Sequence, residues 1–161
     1  MKKLILLVAL VLPLTLATAA SASAPVITSF TRDATMPTPF GGGNCAGFVV
    51  LFTAHIEGTN ISFFDDERGL VKQIRHVHFT GTLYNSSDLS KSVPYEGAFT
   101  RTFEAATNTV TLTGLRFKVQ LPGEGVVALD TGQEVFDGPT LVSDTGNTFA
   151  TFVGDVCAAL A

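Results

Sequence analysis

The chain has 161 residues, with ten basic and fourteen acidic side chains and no tryptophan. Gly, Phe, Thr and Val are frequent and charged residues are sparse, a balance that favours strands over helices. The net charge of −4, without a basic cluster, argues against nucleic acid and anionic membranes as partners.

The N-terminal residues have the layout of a secretory signal peptide. Lys2 and Lys3 precede an apolar run, Leu4 to Leu16, that is too short for a spanning helix, which needs about 20 residues. Small residues with several A-x-A sites follow, and we predict a cut between a signal peptide, 1–22, and a single β-domain, 23–161. Removing two of the ten basic residues leaves eight against fourteen acidic ones, a net charge of −6. The predicted product is secreted or extracytoplasmic, with no membrane contact after cleavage.

The chain contains two cysteines, Cys45 and Cys157. In an exported protein an even pair is typical of a disulfide, whereas redox pairs usually lie close together as C-x-x-C. We therefore predict a bridge from the start of an apolar run to the C-terminal segment. In the chain-entropy account, closing so long a loop stabilises the fold by at most about 4–5 kcal/mol.

The hydrophobic pattern after the signal peptide alternates in short stretches separated by turn residues, with no amphipathic helix. A Pro- and Gly-rich connector is predicted at 36–44 and a turn at 58–60. Sequential strands joined by short turns predict an all-β fold, a single antiparallel meander of about eight strands. A closed barrel is favoured over a two-sheet sandwich because closure removes exposed edges. The predicted strands are 26–33, 45–57, 61–64, 70–84, 93–104, 109–120, 126–136 and 148–157, and the short stretch 141–143 precedes the last of them.

Three histidines are the candidate ligand-binding or metal-binding residues. His76 and His78 are two apart on one predicted strand, so their side chains share a face. His55 lies on a neighbouring predicted strand, and three imidazoles from two strands can form a metal site. A polar or solvent-facing stripe is the interpretation we favour, and we assign no metal and no cofactor.

The triplet Asp-Thr-Gly occurs twice, at 130–132 and 144–146, each time after apolar residues as in aspartic proteases. Those enzymes take one aspartate from each of two lobes or subunits, whereas these two are 14 residues apart in one small domain. Asp-Thr-Gly is also an ordinary turn sequence, which is the interpretation adopted here. The remaining carboxylates and serines show no catalytic spacing.

Four basic side chains fall on predicted strands, namely Arg75, Arg101, Arg116 and Lys118. Inward-facing arginines could bind an acidic ligand. Outward-facing ones would belong to the solvated surface, and this is the placement we favour.

Two short motifs stand near the ends of the predicted domain, Cys-Ala-Gly-Phe at 45–48 and Asp-Val-Cys-Ala at 155–158. They resemble a family of uncharacterised small secreted bacterial β-proteins, although Ala46 departs from the Cys-Gly-Phe of that family. The resemblance covers most of residues 45–160. It implies that the cysteines pair, and it implies no activity.

These features favour an exported, non-enzymatic binding module for a small apolar or amphipathic ligand or for a surface partner. The reason is the abundance of phenylalanine without an assembled catalytic set. The first alternative is an isomerase-like enzyme with its site in a barrel lumen, which requires His76 and His78 to meet Arg or Glu in a deep pocket. The second alternative is a structural component of the cell envelope, which would self-associate.

Overall fold

A computed structural model describes residues 24–67 and 69–161, so the predicted signal peptide lies outside the described residues. The described chain forms seven strands and one helix. Their bounds are β1 Val26–Cys45, β2 Phe48–Asp65, β3 Gly69–Asn85, β4 Asp88–Glu104, β5 Thr109–Leu121, β6 Gly125–Asp137, β7 Thr140–Asn147 and α1 Phe149–Leu160.

The strands form one antiparallel sheet in which each strand pairs with its neighbours in the chain, in the order β1 to β7. The all-β class and the antiparallel meander are therefore confirmed. The sheet is not closed, since β1 and β7 do not pair within the described residues, and the expected barrel is not formed. With an odd number of alternating strands β1 and β7 run the same way, so closure would require a parallel pair.

The segment predicted as the last strand is helical instead. Thr148 is the N-cap of α1, and its hydroxyl accepts a hydrogen bond from the backbone N–H of Thr151 at 3.3 Å. Phe152, Val156 and Leu160 recur every four residues, which places them on one face of a helix. The strand prediction was wrong because a short apolar run does not distinguish a buried strand from a buried helix.

The helix α1 packs on β6, β1 and β4. Phe40 of β1 illustrates the packing, because its ring centroid lies 6.3 Å from that of Phe152 and 5.3 Å from that of Phe117 on β5. One half of the sheet therefore wraps α1. The buried apolar core consists of Phe40, Val50, Ala54, Phe79, Leu83, Val93, Tyr95, Val119, Ala128, Phe152, Val156 and Leu160.

The strands continue beyond α1, and this second half of the sheet positions the candidate site. We call the side of the sheet that α1 covers the helix face, and the other side the open face. The distal half is defined by residues 26–33, 57–65, 69–78, 98–104, 109–114, 131–137 and 140–147. None of the buried core residues lies in the distal half.

The predicted disulfide is confirmed, and it joins the end of β1 to α1. The Cα atoms of Cys45 and Cys157 are 5.6 Å apart across a sequence separation of 112 residues. The bridge holds the helix against the first strand. No helix in the described part of the chain has the length and apolarity needed to cross a membrane.

Two local predictions were wrong. The connector at 36–44 belongs to β1, which tolerates its prolines through register shifts after Ala34 and Pro39. The turn at 58–60 lies inside β2, where Gly58 pairs with Val77. A Cβ atom on Gly58 would lie 2.2 Å from the carbonyl oxygen of His76, so glycine there permits a close approach of two strands.

Candidate functional site

Two parallel rows of cross-strand neighbours cross the helix face in the distal half. The charged row runs through Thr28, Asn60, Arg75, Arg101, Leu112, Glu134 and Asp144. The apolar row beside it runs through Phe103, Val110, Phe136 and Leu141. Directly opposed residues have Cβ atoms about 4.5–5.5 Å apart, so charged and apolar groups form one continuous surface.

Arg75 and Arg101 lie directly opposite each other on β3 and β4. Arg75 donates from Nε to Oδ1 of Asn60 at 2.6 Å, and its guanidinium lies 5.4 Å from the ring centroid of Phe30. The Arg101 guanidinium lies 5.9 Å from the ring centroid of Phe103. Neither arginine forms an ion pair with a carboxylate of the described residues. Like charges directly opposed destabilise a sheet, so this pair is unfavourable without a counter-anion.

The pKa of Arg101 reflects the same electrostatic cost of placing two positive charges side by side. Burial lowers the pKa of Arg101, and the charge of Arg75 lowers this pKa further. Both effects disfavour a second positive charge at a half-buried position. A bound anion would offset both.

Arg116, by contrast, is surrounded by acids. Its side chain is 4% exposed, with Nη2 2.5 Å from Asp130 Oδ1 and Nη1 2.7 Å from Glu134 Oε1. The contact between Nη1 and Glu134 is an ion pair but not a hydrogen bond, because the N–H group does not point at the carboxylate oxygen. Asp144 lies 3.8 Å from Nη2, and Nη2 also donates to the carbonyl oxygen of Asn147 at 3.4 Å. Arg116 therefore ties β5 to β6, to β7 and to the entry of α1.

The two Asp-Thr-Gly triplets supply this cluster, and they lie in strands rather than turns. They pair antiparallel on β6 and β7, with Gly132 opposite Gly146. Both glycines have positive φ, and a Cβ on Gly132 would lie 1.8 Å from the carbonyl oxygen of Thr145. The two strands approach closely, and both aspartates converge on Arg116. A proton-sharing aspartate dyad is not formed, because a guanidinium contacts both carboxylates.

Three carboxylates thus share one guanidinium. Burial raises the pKa of Asp130, an effect that Arg116 opposes and Asp144 reinforces. Burial also raises the pKa of Glu134, again against the opposing charge of Arg116. The two carboxyl groups are therefore easier to protonate than they would be in water.

The three histidines share the open face, but each contacts a different partner. The Nδ1 contacts are His55 with Asp33 Oδ1 at 2.6 Å, His76 with Thr100 Oγ1 at 3.0 Å and His78 with Glu57 Oε1 at 3.5 Å. The side chains of His55 and His78 are 52% and 53% exposed. The described residues contain no group of three His, Cys, Asp or Glu side chains placed to hold a metal. The three histidines therefore lie on one polar stripe of the open face, each with its own partner.

His76 and His78 line a trough of about 680 Å³ that crosses five strands of the open face. Its other lining side chains on this face are Ser29, Thr31, Glu57, Thr59, Ala98, Thr100 and Thr113. Glu57 meets His78 here, but on an exposed surface. The isomerase-like alternative requires a deep pocket around these two imidazoles, whereas they line a shallow, exposed trough.

Comparison with models of protein families, with curated proteins and with solved structures finds no match to this chain.

The placement of the basic side chains corrects the sequence analysis. Arg75, Arg101 and Arg116 lie on the helix face rather than pointing outward, and only Lys118 lies on the open face, paired with Glu96. The alternation already indicated this face, because Arg75 lies an even number of residues from Val77, Phe79 and Leu83 of β3. Arg101 likewise alternates in phase with the apolar residues of β4.

Proposed function

We propose that this protein is an exported binding module for a small amphipathic ligand, which docks on the helix face of the distal half. The observation that carries the proposal is the apolar row. Its four side chains adjoin across four strands without α1 above them, and Leu141 and its neighbour Val142 are 47% and 59% exposed. A contiguous apolar surface next to polar groups is typical of a binding surface, whereas single exposed apolar residues are ordinary.

The dimensions of the row suit an alkyl chain. Four adjacent strands span about 14 Å at the usual strand spacing. An alkyl chain laid along the row would contact Phe103 at one end and Leu141 at the other. An entirely apolar ligand would also cover guanidinium groups of the charged row and remove their hydration, which is unfavourable. An amphipathic molecule therefore fits this surface better.

The disulfide supports a location outside the cytoplasm, where the protein would encounter its ligand. An intramolecular disulfide indicates folding in an oxidising, extracytoplasmic environment. We also propose that the protein is secreted and that residues 1–22 are removed by cleavage. This proposal is supported by the apolar run that follows Lys2 and Lys3.

The test is calorimetric titration of the protein without residues 1–22 with 1-decanol, a neutral amphiphile. We expect saturable binding, and about tenfold weaker binding by Leu141→Asn, because covering one leucine contributes on the order of 1.5 kcal/mol or more. Val126→Asn is the matched control, since Val126 is 52% exposed at the opposite end of the sheet. Absence of decanol binding, or equal weakening in both variants, would contradict the proposal.

A second candidate, a self-associating envelope component, is favoured by one observation. All eight residues of β7 are exposed, and β7 is one of the two edge strands of the open sheet. Unpaired edges of this kind can accept a strand from another chain. Sedimentation velocity over a range of concentrations tests this role, and a single monomeric species throughout would argue against it.

A further inference from the structure

We infer that the ligand of this surface carries an anionic head group, a carboxylate or a phosphate ester, held between Arg75 and Arg101. The inference rests on the proposed function for the apolar tail and adds the charge of the head. It assigns to the two arginines a role that the apolar row alone does not imply.

Most N–H donors of Arg75 and Arg101 have no acceptor in the described residues. A guanidinium has five N–H groups, and it accepts no hydrogen bonds. In the described residues Arg75 uses only Nε, toward Asn60, and Arg101 has no hydrogen-bond acceptor. The remaining N–H groups of these two cross-strand neighbours thus have no acceptor in the described chain. A carboxylate or phosphate accepts such paired N–H groups in a bidentate manner.

Neighbouring side chains orient both guanidinium groups. Asn60 fixes Arg75 through the 2.6 Å bond to Nε, and the ring of Phe30 lies beside its guanidinium. The ring of Phe103 does the same for Arg101. Side chains held in this way lose less conformational freedom when they bind an anion. Phe103 is also the first member of the apolar row, so head and tail sites are contiguous.

The nearby carboxylates do not pair with Arg75 or Arg101. Glu134 and Asp144 continue the charged row, but Leu112 separates Arg101 from Glu134. Both acids contact Arg116 instead, at 2.7 and 3.8 Å. The charges of Arg75 and Arg101 therefore have no carboxylate contact in the described residues, while the acids of β6 and β7 are neutralised in part by Arg116.

The experiment compares chain-matched probes, each used at concentrations where it is monomeric: decanoate, decyl phosphate, 1-decanol and decyltrimethylammonium. We expect wild-type protein to bind decanoate or decyl phosphate at least about tenfold more tightly than 1-decanol, the effect of one charge-assisted contact. The cationic probe should bind more weakly than 1-decanol. Which of the two anions binds more tightly identifies a carboxylate or a phosphate head.

The variants Arg75→Gln and Arg101→Gln should each reduce the preference for the anion to about threefold or less, with affinity for 1-decanol retained. Lys72→Gln is the matched control, because Lys72 lies on β3 near Arg75 but pairs with Glu104 on the open face. Melting temperatures check that all variants are folded. Equal binding of decanoate and 1-decanol, or an anion preference that survives in both arginine variants, would overturn the inference while the proposed function stands. Absence of binding by every probe would overturn both.

Discussion

The side-chain amide of Asn85, at the end of β3, donates a hydrogen bond to the carbonyl oxygen of Leu160 in the last turn of α1 at 3.1 Å. Carbonyl groups at a helix C-terminus have no partner within the helix, so this bond satisfies one of them. Asn85 is 5% exposed, and its Oδ1 accepts a hydrogen bond from the backbone N–H of Ser87 at 2.8 Å. One buried amide therefore both closes the β3–β4 turn and fixes the end of the helix that packs on the sheet.

Replacing this amide should destabilise the whole fold. Asn85→Ala leaves the Leu160 carbonyl and the Ser87 N–H without their partner, at a cost of about 1–3 kcal/mol for buried polar groups. Chemical denaturation followed by circular dichroism measures the free energy of unfolding. Ser90→Ala is the control, since Ser90 bonds Asp88 on the exposed surface of the same hairpin. A change below about 0.5 kcal/mol in Asn85→Ala would contradict this role.

The buried Arg116 should matter far more than a nearby surface cation. Arg116→Met removes the counter-charge of Asp130 and Glu134, and breaking a buried ion pair from one side costs about 3–5 kcal/mol. Lys118→Met, two residues away, breaks only the more exposed pair with Glu96, which contributes about 1 kcal/mol or less. The midpoints of denaturant unfolding compare the two variants. Similar losses in both would show that the acidic cluster does not depend on its arginine.

The close approach of β6 and β7 predicts a strong effect at one glycine. Gly132 has φ of 133°, and a Cβ atom there would lie 1.8 Å from the carbonyl oxygen of Thr145. Gly132→Ala should therefore cost at least about 1–3 kcal/mol from the backbone conformation alone. Gly41→Ala is the control, because no atom lies within 4 Å of its Cβ position and its φ is not positive. Equal unfolding midpoints for the two variants would contradict the proposed close packing.

Alternation along single strands could be predicted from the sequence, and it placed the histidines of β3 correctly on one face. The same alternation indicated the correct face for Arg75. The prediction nevertheless favoured a solvated surface, because arginine side chains are mostly exposed in folded proteins. Register between strands could not be predicted. The pairing of Arg75 with Arg101 is therefore visible only in the structure.

The acidic cluster could not be predicted because it depends on a bulge. A register shift between Leu115 and Phe117 adds one residue to β5, so Arg116 turns inward while Lys118 reaches the open face. Simple alternation would have placed these two cations on the same side. The sequence also leaves helix formation by the last segment undecided, because its apolar run is short enough for either a buried strand or a buried helix.

Stability should rise as the pH falls from about 8 toward 5, and two groups of side chains cause this. The pKa of His55 is raised above its ordinary value of 6.5, mainly by the hydrogen bond to Asp33. Its stabilising contribution is therefore complete below pH 6.5 and is lost as the pH rises through the raised value. Burial raises the pKa of Asp130 and Glu134 above 3.8 and 4.5, so the folded state binds protons before the unfolded state as the pH falls.

At still lower pH the trend should reverse. Hydrogen bonds from Ser90 lower the pKa of Asp88 below 3.8, and that contribution is lost as the pH falls through the lowered value. Denaturant unfolding between pH 3 and 8 measures the profile. Asp33→Asn should flatten its slope above about pH 6, and Glu134→Gln should flatten it on the acidic side of neutral. A wild-type profile that falls steadily from pH 8 to 5, or variants with unchanged slopes, would contradict the assignment of these groups.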